Sequence, residues 1–121
     1  MLSEKAILGM MAASPEKRYK SFLNMAADTQ QVWMLESEEG SAIMEADGYL
    51  HLPVWPAKKF AELFREENEE AVCMDVHDFL DQCRSLGEAY RFMVFPTNAE
   101  TWIVTAQELC EDLQAFLEEV E

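Results

Sequence analysis

Basic residues are scarce in this sequence. The 121 residues include nine lysines and arginines against 24 aspartates and glutamates, which gives a formal net charge of −15 at pH 7. Affinity for the phosphate backbone of nucleic acids depends on lysine and arginine, so we expect no nucleic-acid partner. The excess of carboxylates is typical of a well-solvated surface, and it also fits an acidic face that attracts a basic protein partner.

Cysteine, glycine, proline and long apolar runs are also in short supply. Four glycines and four prolines are too few for a low-complexity protein. The three cysteines, Cys73, Cys83 and Cys110, include no C-x-x-C pair, a pattern typical of free thiols in a reducing compartment. No apolar run approaches the roughly 18 residues that a membrane-spanning helix requires. We therefore expect a cytoplasmic protein with no membrane partner.

What the sequence does contain is enough apolar surface for one folded domain. Half of the residues are hydrophobic, and a chain of this length forms a single core. Residues 1–13 include the apolar run AILGMMAA. This segment predicts an N-terminal helix that docks on the rest of the chain or on a second subunit of a homodimer. Residues 14–121 are predicted to form a single domain.

The first half of that domain predicts one helix followed by three strands. Residues 14–29 begin with a capping serine and a proline, a typical helix start. Residues 31–37 and 41–46 have the composition of strands. An Asp-Gly pair at residues 47–48 is the strongest turn signal in the chain, and it leads to a third strand at residues 49–54. The pattern predicts a three-stranded antiparallel meander.

Two prolines bracket a Val-Trp pair where the third strand gives way to a helix. Pro53 cannot donate a backbone hydrogen bond, so we expect the strand to lie at a sheet edge or to leave the sheet there. Pro56 suits the first turn of the next helix. The buried side of that helix is predicted to consist of Phe60, Leu63 and Phe64. The acidic run EENEE, at residues 66–70, is its predicted solvated end.

The second half predicts two further helices and a hairpin. Asp75 can cap a helix that stops near Gly87. Residues 90–96 and 101–105 form a predicted hairpin, and the sequence TAQE that follows has the spacing of a capping box. Together these patterns predict an α+β fold: a mainly antiparallel sheet of about five strands, a meander plus a hairpin, with helices packed against it.

Several of these segments together resemble one known family. They are VW at residues 32–33, PVWP at residues 53–56 and FPT at residues 95–97, and the similar region extends over residues 16–119. In the order and spacing of these segments the chain resembles the DUF2750 family of small bacterial proteins. The resemblance implies a bacterial cytosolic α+β domain. It implies no catalytic residues, because the function of that family is not established.

Signals for enzymatic chemistry are weak. The chain has two histidines, His51 and His77, and His77 is better explained as a solvated residue than as a metal ligand. Cys83 and Cys110 fall among apolar residues and are expected to be buried, inert thiols. Cys73 and His77 form the one pair that could supply a nucleophile and a base. We predict no catalytic, metal-binding or cofactor-binding residues and no cofactor, and we favour a non-enzymatic protein.

Two groups of residues are candidate binding sites. One is an aromatic and proline corner that could line a shallow apolar cleft, although tryptophans beside strands more often serve in packing. The corner consists of Trp33, Pro53, Trp55, Pro56, Phe95 and Pro96. The other is an acidic face that consists of Glu66, Glu67, Glu69 and Glu70. An apolar cleft with an acidic rim suits a peptide or protein surface better than a metabolite.

Three functions are compatible with these patterns. An acidic, non-enzymatic protein-binding module, of the inhibitor or immunity type, would engage a basic protein partner. A small-molecule sensor or enzyme would use the corner around Trp55. A homo-oligomeric structural protein would associate through its N-terminal segment. The charge and the lack of catalytic motifs favour the first.

Overall fold

The computed structural model describes residues 3–97 and 100–120, which form five helices and seven strands. The helices are α1 (Glu4–Ala12), α2 (Pro15–Thr29), α3 (Lys58–Glu62), α4 (Val76–Ser85) and α5 (Ala106–Val120). The strands are β1 (Gln31–Ser37), β2 (Gly40–Ser41), β3 (Met44–Ala46), β4 (Tyr49–Val54), β5 (Glu70–Asp75), β6 (Tyr90–Val94) and β7 (Trp102–Thr105).

The strands form two sheets that meet at a pair of tryptophans. The first sheet has the order β2-β1-β5 and is antiparallel, and the second has the order β3-β4-β6-β7. In the second sheet β4 and β6 are parallel, while the other pairs are antiparallel. Trp33 of β1 and Trp55, just after β4, exchange two backbone hydrogen bonds of 3.0 and 2.8 Å. The α+β class predicted from the sequence is confirmed.

The meander predicted for residues 31–54 is only partly formed, because its second strand is split into β2, which pairs with β1, and β3, which pairs with β4 in the other sheet. The turn at residues 47–48 does join β3 to β4, but β1 pairs with β2 over only two residue pairs. The main partner of β1 is β5, in six residue pairs. Sequence reasoning missed β5 because the strand is exposed or half-buried along its whole length, which leaves no clear alternation, and because its partner is distant in the chain.

The helix predicted after the second proline is shorter than the sequence indicates. α3 ends at Glu62, and instead of extending the helix the acidic run covers the turn at residues 66–69 and the first residue of β5, Glu70. Phe60 is fully buried, as predicted. Leu63, which was predicted to be buried, is 58% exposed because it lies beyond the end of the helix.

The position of Pro53 explains why a proline is tolerated inside β4. β4 pairs with β6 along its length, but β3 covers the other side of β4 only as far as His51. Val54 accepts a hydrogen bond from Phe95 on the β6 side, so the neighbouring Pro53 is directed away from β6. Pro53 therefore faces the side of β4 that, among the described residues, has no neighbouring strand between the end of β3 and the Trp33–Trp55 pair. No described partner there requires an N–H donor, as the sequence predicts.

Side-chain caps begin three helices where the sequence predicts them. Ser14 at α2 and Asp75 at α4 accept backbone N–H groups of the first turn. Thr105 and Glu108 exchange the two hydrogen bonds of a capping box, 3.0 and 3.2 Å long, at the start of α5. These contacts satisfy N–H groups that have no partner within the helix.

The main core lies where α5 contacts α2, α4, β6 and β7. Leu109, Leu113 and Leu117 of α5 are buried. Tyr19 of α2 donates a hydrogen bond of 2.6 Å from its hydroxyl to Asp112 of α5. Burial, together with this hydrogen bond, raises the pKa of Tyr19 above its ordinary value. The Tyr19 hydroxyl therefore stays protonated, and its hydrogen bond to Asp112 holds α2 against α5.

Arg18 is a buried charged residue that sequence reasoning missed. Its side chain is only 1% exposed, and its guanidinium donates to the backbone carbonyls of Ala13 (2.5 Å), Phe95 (3.2 Å) and Glu100. Burial lowers the pKa of this guanidinium, yet an arginine keeps its charge in proteins. The three carbonyls therefore accept the hydrogen bonds that water would accept from an exposed guanidinium. The bonds tie the start of α2 to the connection between β6 and β7.

Replacing Arg18 by methionine should lower the free energy of unfolding by about 3 kcal/mol, because buried carbonyl oxygens lose their bonds to a charged donor. The control is Lys20→Met on the same helix, since Lys20 makes only an exposed ion pair with Glu16, a kind of contact that contributes little. Urea unfolding measures both variants against the unmodified protein. Equal stability of the two variants would contradict this role of Arg18.

Candidate functional site

The structure brings together only half of the predicted aromatic and proline corner. Pro53, Trp55 and Pro96 line one groove with a volume of about 660 Å³. The other three members of the corner, Trp33, Pro56 and Phe95, are not among the residues that line it. The corner predicted from the sequence therefore divides into a groove wall and a set of packing residues.

Trp55 forms part of the groove floor and is fixed by two contacts. Its side chain is buried, and its Nε1–H donates a hydrogen bond of 3.1 Å to the carbonyl of Pro96. Its ring stacks on Phe64 with a centroid separation of 6.2 Å and an interplanar angle of 11°. Its single polar hydrogen is already bonded and its side chain is only 2% exposed, so Trp55 supports the groove lining from within the core.

Phe95 turns into the core at the point where β6 ends. Its φ angle is 52°, which is uncommon for a residue with a side chain. Its ring is fully buried and lies 4.6 Å from the ring of Phe60, between centroids. Its N–H donates to Val54 and its carbonyl accepts from Arg18. These contacts hold the unusual conformation, which in turn places the next residue, Pro96, at the groove.

The rest of the groove is lined by both apolar and polar residues. Its apolar members outside the predicted corner are Leu35, Ala42, Ile43, Met44, Phe64 and Met93. Ile43 is 49% exposed and Met44 is 57% exposed. Sequence reasoning missed the contribution of residues 42–44, because it placed them inside a paired strand of the meander. An exposed apolar surface of this kind is a common feature of binding sites.

Carboxylates form the rim of this groove. Glu39, Glu66 and Glu69 line it, so two members of the predicted acidic face lie at the same place as Trp55. Glu69 is half-buried, and its Oε1 accepts the backbone N–H of Glu66 at 2.7 Å. The other two members of that face are exposed but do not line the groove: Glu67 and Glu70. The acidic face is thus smaller at the groove than predicted, and Glu39 joins it. We call this site the acid-rimmed groove.

The cysteines differ in their exposure. Cys83 is buried, as predicted. Its pKa is raised to about 12, mainly by burial and to a smaller extent by the nearby Cys110. Cys110 is half-buried and Cys73 is exposed. His77 is exposed, and its backbone N–H is bonded to the Asp75 side chain. Among residues 3–97 and 100–120, no group of three or more His, Cys, Asp and Glu side chains is placed to hold a metal ion.

The sequence model of one family, described as protein of unknown function (DUF2750), matches residues 19–113. The chain belongs to this family, as its motifs indicate. A search of the curated proteins finds no match. In the part of the chain that the structure describes, none of the helices is long and apolar enough to cross a bilayer.

The thiols should react at different rates because the thiolate is the reactive form. At about pH 8, Cys73 should react quickly with a disulfide reagent such as DTNB, whereas the raised pKa of Cys83 keeps it protonated and unreactive. The release of thionitrobenzoate measures both, and a Cys73→Ser variant identifies the fast phase. In denaturant every thiol should react. Fast reaction of Cys83 in the folded Cys73→Ser protein would contradict its burial.

Proposed function

We propose that this protein is a non-enzymatic, cytoplasmic binding module whose acid-rimmed groove takes a basic segment of a partner protein. The observation that supports this proposal is the combination of the apolar floor around Trp55 with the carboxylates of Glu39, Glu66 and Glu69. Apolar residues supply affinity at protein interfaces, and complementary charge at the rim speeds association. An inhibitor or immunity-type role is one form that such binding takes.

We favour a protein segment over a small molecule for this groove. Small-molecule sites usually hold a few polar groups that fix the orientation of the ligand. The polar hydrogen of Trp55 is committed to Pro96, and the Glu69 carboxylate is engaged with the backbone of Glu66. The exposed side chains of Ile43 and Met44 lie at the groove. Ser37, Ser41 and Asn68 add polar groups to the lining, and this mixture of exposed apolar and polar side chains is typical of protein interfaces.

A short peptide of alternating lysine and leucine is expected to bind the acid-rimmed groove, because lysines can face the rim while leucines contact the floor. Fluorescence anisotropy of the labelled peptide measures the affinity, which should fall as salt is raised. Two control peptides replace lysine by glutamate or leucine by serine, and neither should bind. Absence of binding by the lysine–leucine peptide, or equal binding of the serine control, would refute the proposal.

The site is tested with matched charge variants. The triple variant Glu39→Gln, Glu66→Gln, Glu69→Gln should weaken peptide binding about fivefold, since each exposed charge contributes a few tenths of a kcal/mol to about 1 kcal/mol. Its control is the triple variant Glu67→Gln, Glu118→Gln, Glu119→Gln, which changes the net charge equally at residues outside the groove. An equal loss in both variants would show that only the net charge matters.

We also propose that α1 forms a subunit contact in a homodimer. Ile7 of α1 is buried, but Leu8 is 62% exposed, a large fraction for a leucine. α1 contacts α2, and Met10 and Met11 also pack against the core, so Leu8 is the large apolar side chain of α1 that is exposed. Two-fold dimers are the commonest soluble oligomers, and Leu8 would lie within such a contact. This association is compatible with binding of a partner at the groove.

Leu8→Glu should dissociate such a dimer, because a charge placed in an apolar contact loses its hydration. Light scattering after size exclusion should give twice the chain mass of 13.9 kDa for the unmodified protein and one chain mass for the variant. Removal of residues 1–13 should have the same effect. The control is Lys5→Glu, which adds negative charge to the same helix at an exposed residue. A monomeric unmodified protein would refute the dimer.

A further inference from the structure

A second cavity lies at the opposite end of the second sheet from the acid-rimmed groove. It has a volume of about 700 Å³ and is lined by Tyr49, the first residue of β4, by Tyr90, the first residue of β6, and by Thr105, the last residue of β7. The groove is instead lined by Pro53 near the end of β4 and by Pro96 beyond β6. The two sites are therefore separate. We call the second one the arginine cleft.

The arginine cleft contains the only lysine or arginine residues that follow Arg65 in the sequence. Beyond Arg65 the sequence has two, Arg84 and Arg91, and both line this cleft. Two carboxylates, Glu88 and Glu111, also line it. The lining is therefore close to neutral in a protein of net charge −15, which makes it the least repulsive place in this part of the chain for an anion.

Arg91 is held in place by uncharged groups. Its guanidinium carbon lies 3.9 Å from the centroid of the Tyr49 ring, within the range of a cation–π contact. Its Nη1 donates to the carbonyls of Glu88 (2.5 Å) and Tyr90 (2.9 Å). Over residues 3–97 and 100–120, no carboxylate forms an ion pair with Arg91. Its Nε–H and Nη2–H groups are therefore left for another acceptor.

Among the described residues Arg18 and Arg65 also form no ion pair with a carboxylate, but neither lines either of the two cavities, whereas Arg91 does. Carboxylates outnumber basic residues 24 to nine, and arginine pairs readily with carboxylates in a bidentate geometry. Arg84 follows that rule, because its Nη1 contacts Asp81 at 3.0 Å and its Nη2 donates to Gln114 at 3.0 Å. Arg91 does not. An arginine fixed by a ring and two carbonyls, inside a cavity and without a carboxylate, is prepared for an anion from outside the chain.

We propose that the arginine cleft binds a small organic anion, with its carboxylate or phosphate group on the guanidinium of Arg91. The apolar or aromatic body of the ligand rests against Leu86, Tyr49 and Tyr90, which line the same cavity. The volume is within the range for small-molecule sites, which combine apolar walls with a few placed polar groups. Arg84 supplies a second positive charge at the cleft.

Phenylphosphonate is a suitable probe because it joins a phosphate-like group to an aromatic ring. Titration of the nitrogen-15-labelled protein, followed by NMR, should shift the Arg91 Nε–Hε signal and the backbone signals of residues 86–91. Inorganic phosphate should bind more weakly, since it lacks the ring, and benzyl alcohol should not bind, since it lacks the charge. Absence of shifts with phenylphosphonate would refute the proposal. Equal binding of inorganic phosphate would refute the proposed contact between the ring of the ligand and the apolar wall of the cleft.

The role of Arg91 is tested by Arg91→Gln, which should weaken phenylphosphonate binding about tenfold or more, because a hydrogen bond between charged groups is lost. Its control is Lys20→Gln, which changes the net charge equally at an exposed residue outside the cleft. Glu111→Gln should strengthen binding, since it removes a repulsive carboxylate. A uniform effect of the first two variants would mean that the anion senses only the net charge, and no effect of Glu111→Gln would contradict the placement of the anion near Glu111.

A third variant distinguishes the loss of a ligand contact from a folding defect. Arg84→Gln keeps every contact of Arg91 with Tyr49 and the carbonyls, and it should weaken binding severalfold through the loss of the second charge. Urea unfolding of Arg84→Gln should match that of the unmodified protein, because Arg84 makes only exposed contacts. Unchanged affinity in this stable variant would remove Arg84 from the site, and unchanged affinity in Arg91→Gln would overturn the proposal as a whole.

Discussion

The buried guanidinium of Arg18 is the interaction on which both the core and the groove depend. A charge removed from water is tolerated only when its hydrogen-bond donors are paired. The partners are three backbone carbonyls, those of Ala13, Phe95 and Glu100. Two of these carbonyls lie in the connection between β6 and β7. The carbonyl of Pro96, in the same connection, fixes the ring of Trp55, so one buried charge positions a helix and a groove wall together.

The junction between the two sheets determines where the two cavities lie. Trp33 and Trp55 join β1 to the end of β4, which places the acid-rimmed groove where the sheets meet. The arginine cleft forms at the other end of β4, where the strand begins at Tyr49. One site is bordered by carboxylates, and the other holds Arg84 and Arg91 beside two carboxylates. The two sites therefore differ in both position and charge.

Sequence reasoning succeeded where the deciding contacts are local. The caps at Ser14 and Asp75 and the turn at residues 47–48 act within a few residues, so their patterns could be read directly. It failed for β5, because the strand is defined by its pairing with distant β1. Half of the candidate corner could also be predicted. Phe95 and Pro96 are adjacent in the chain, yet the first packs in the core and the second lines the groove, because the positive φ of Phe95 turns the chain where β6 ends.

The sequence by itself determined the α+β class, the starts of three helices, the family and the strongly acidic charge. Only the tertiary structure decided that β1 pairs with β5, that Arg18 is buried, and that Glu66 and Glu69 lie beside Trp55. The reason is physical. Caps, turns and net charge depend on neighbouring residues or on composition, whereas a groove is made by segments that are far apart in the chain, and their relative positions are set by the packing of the whole core.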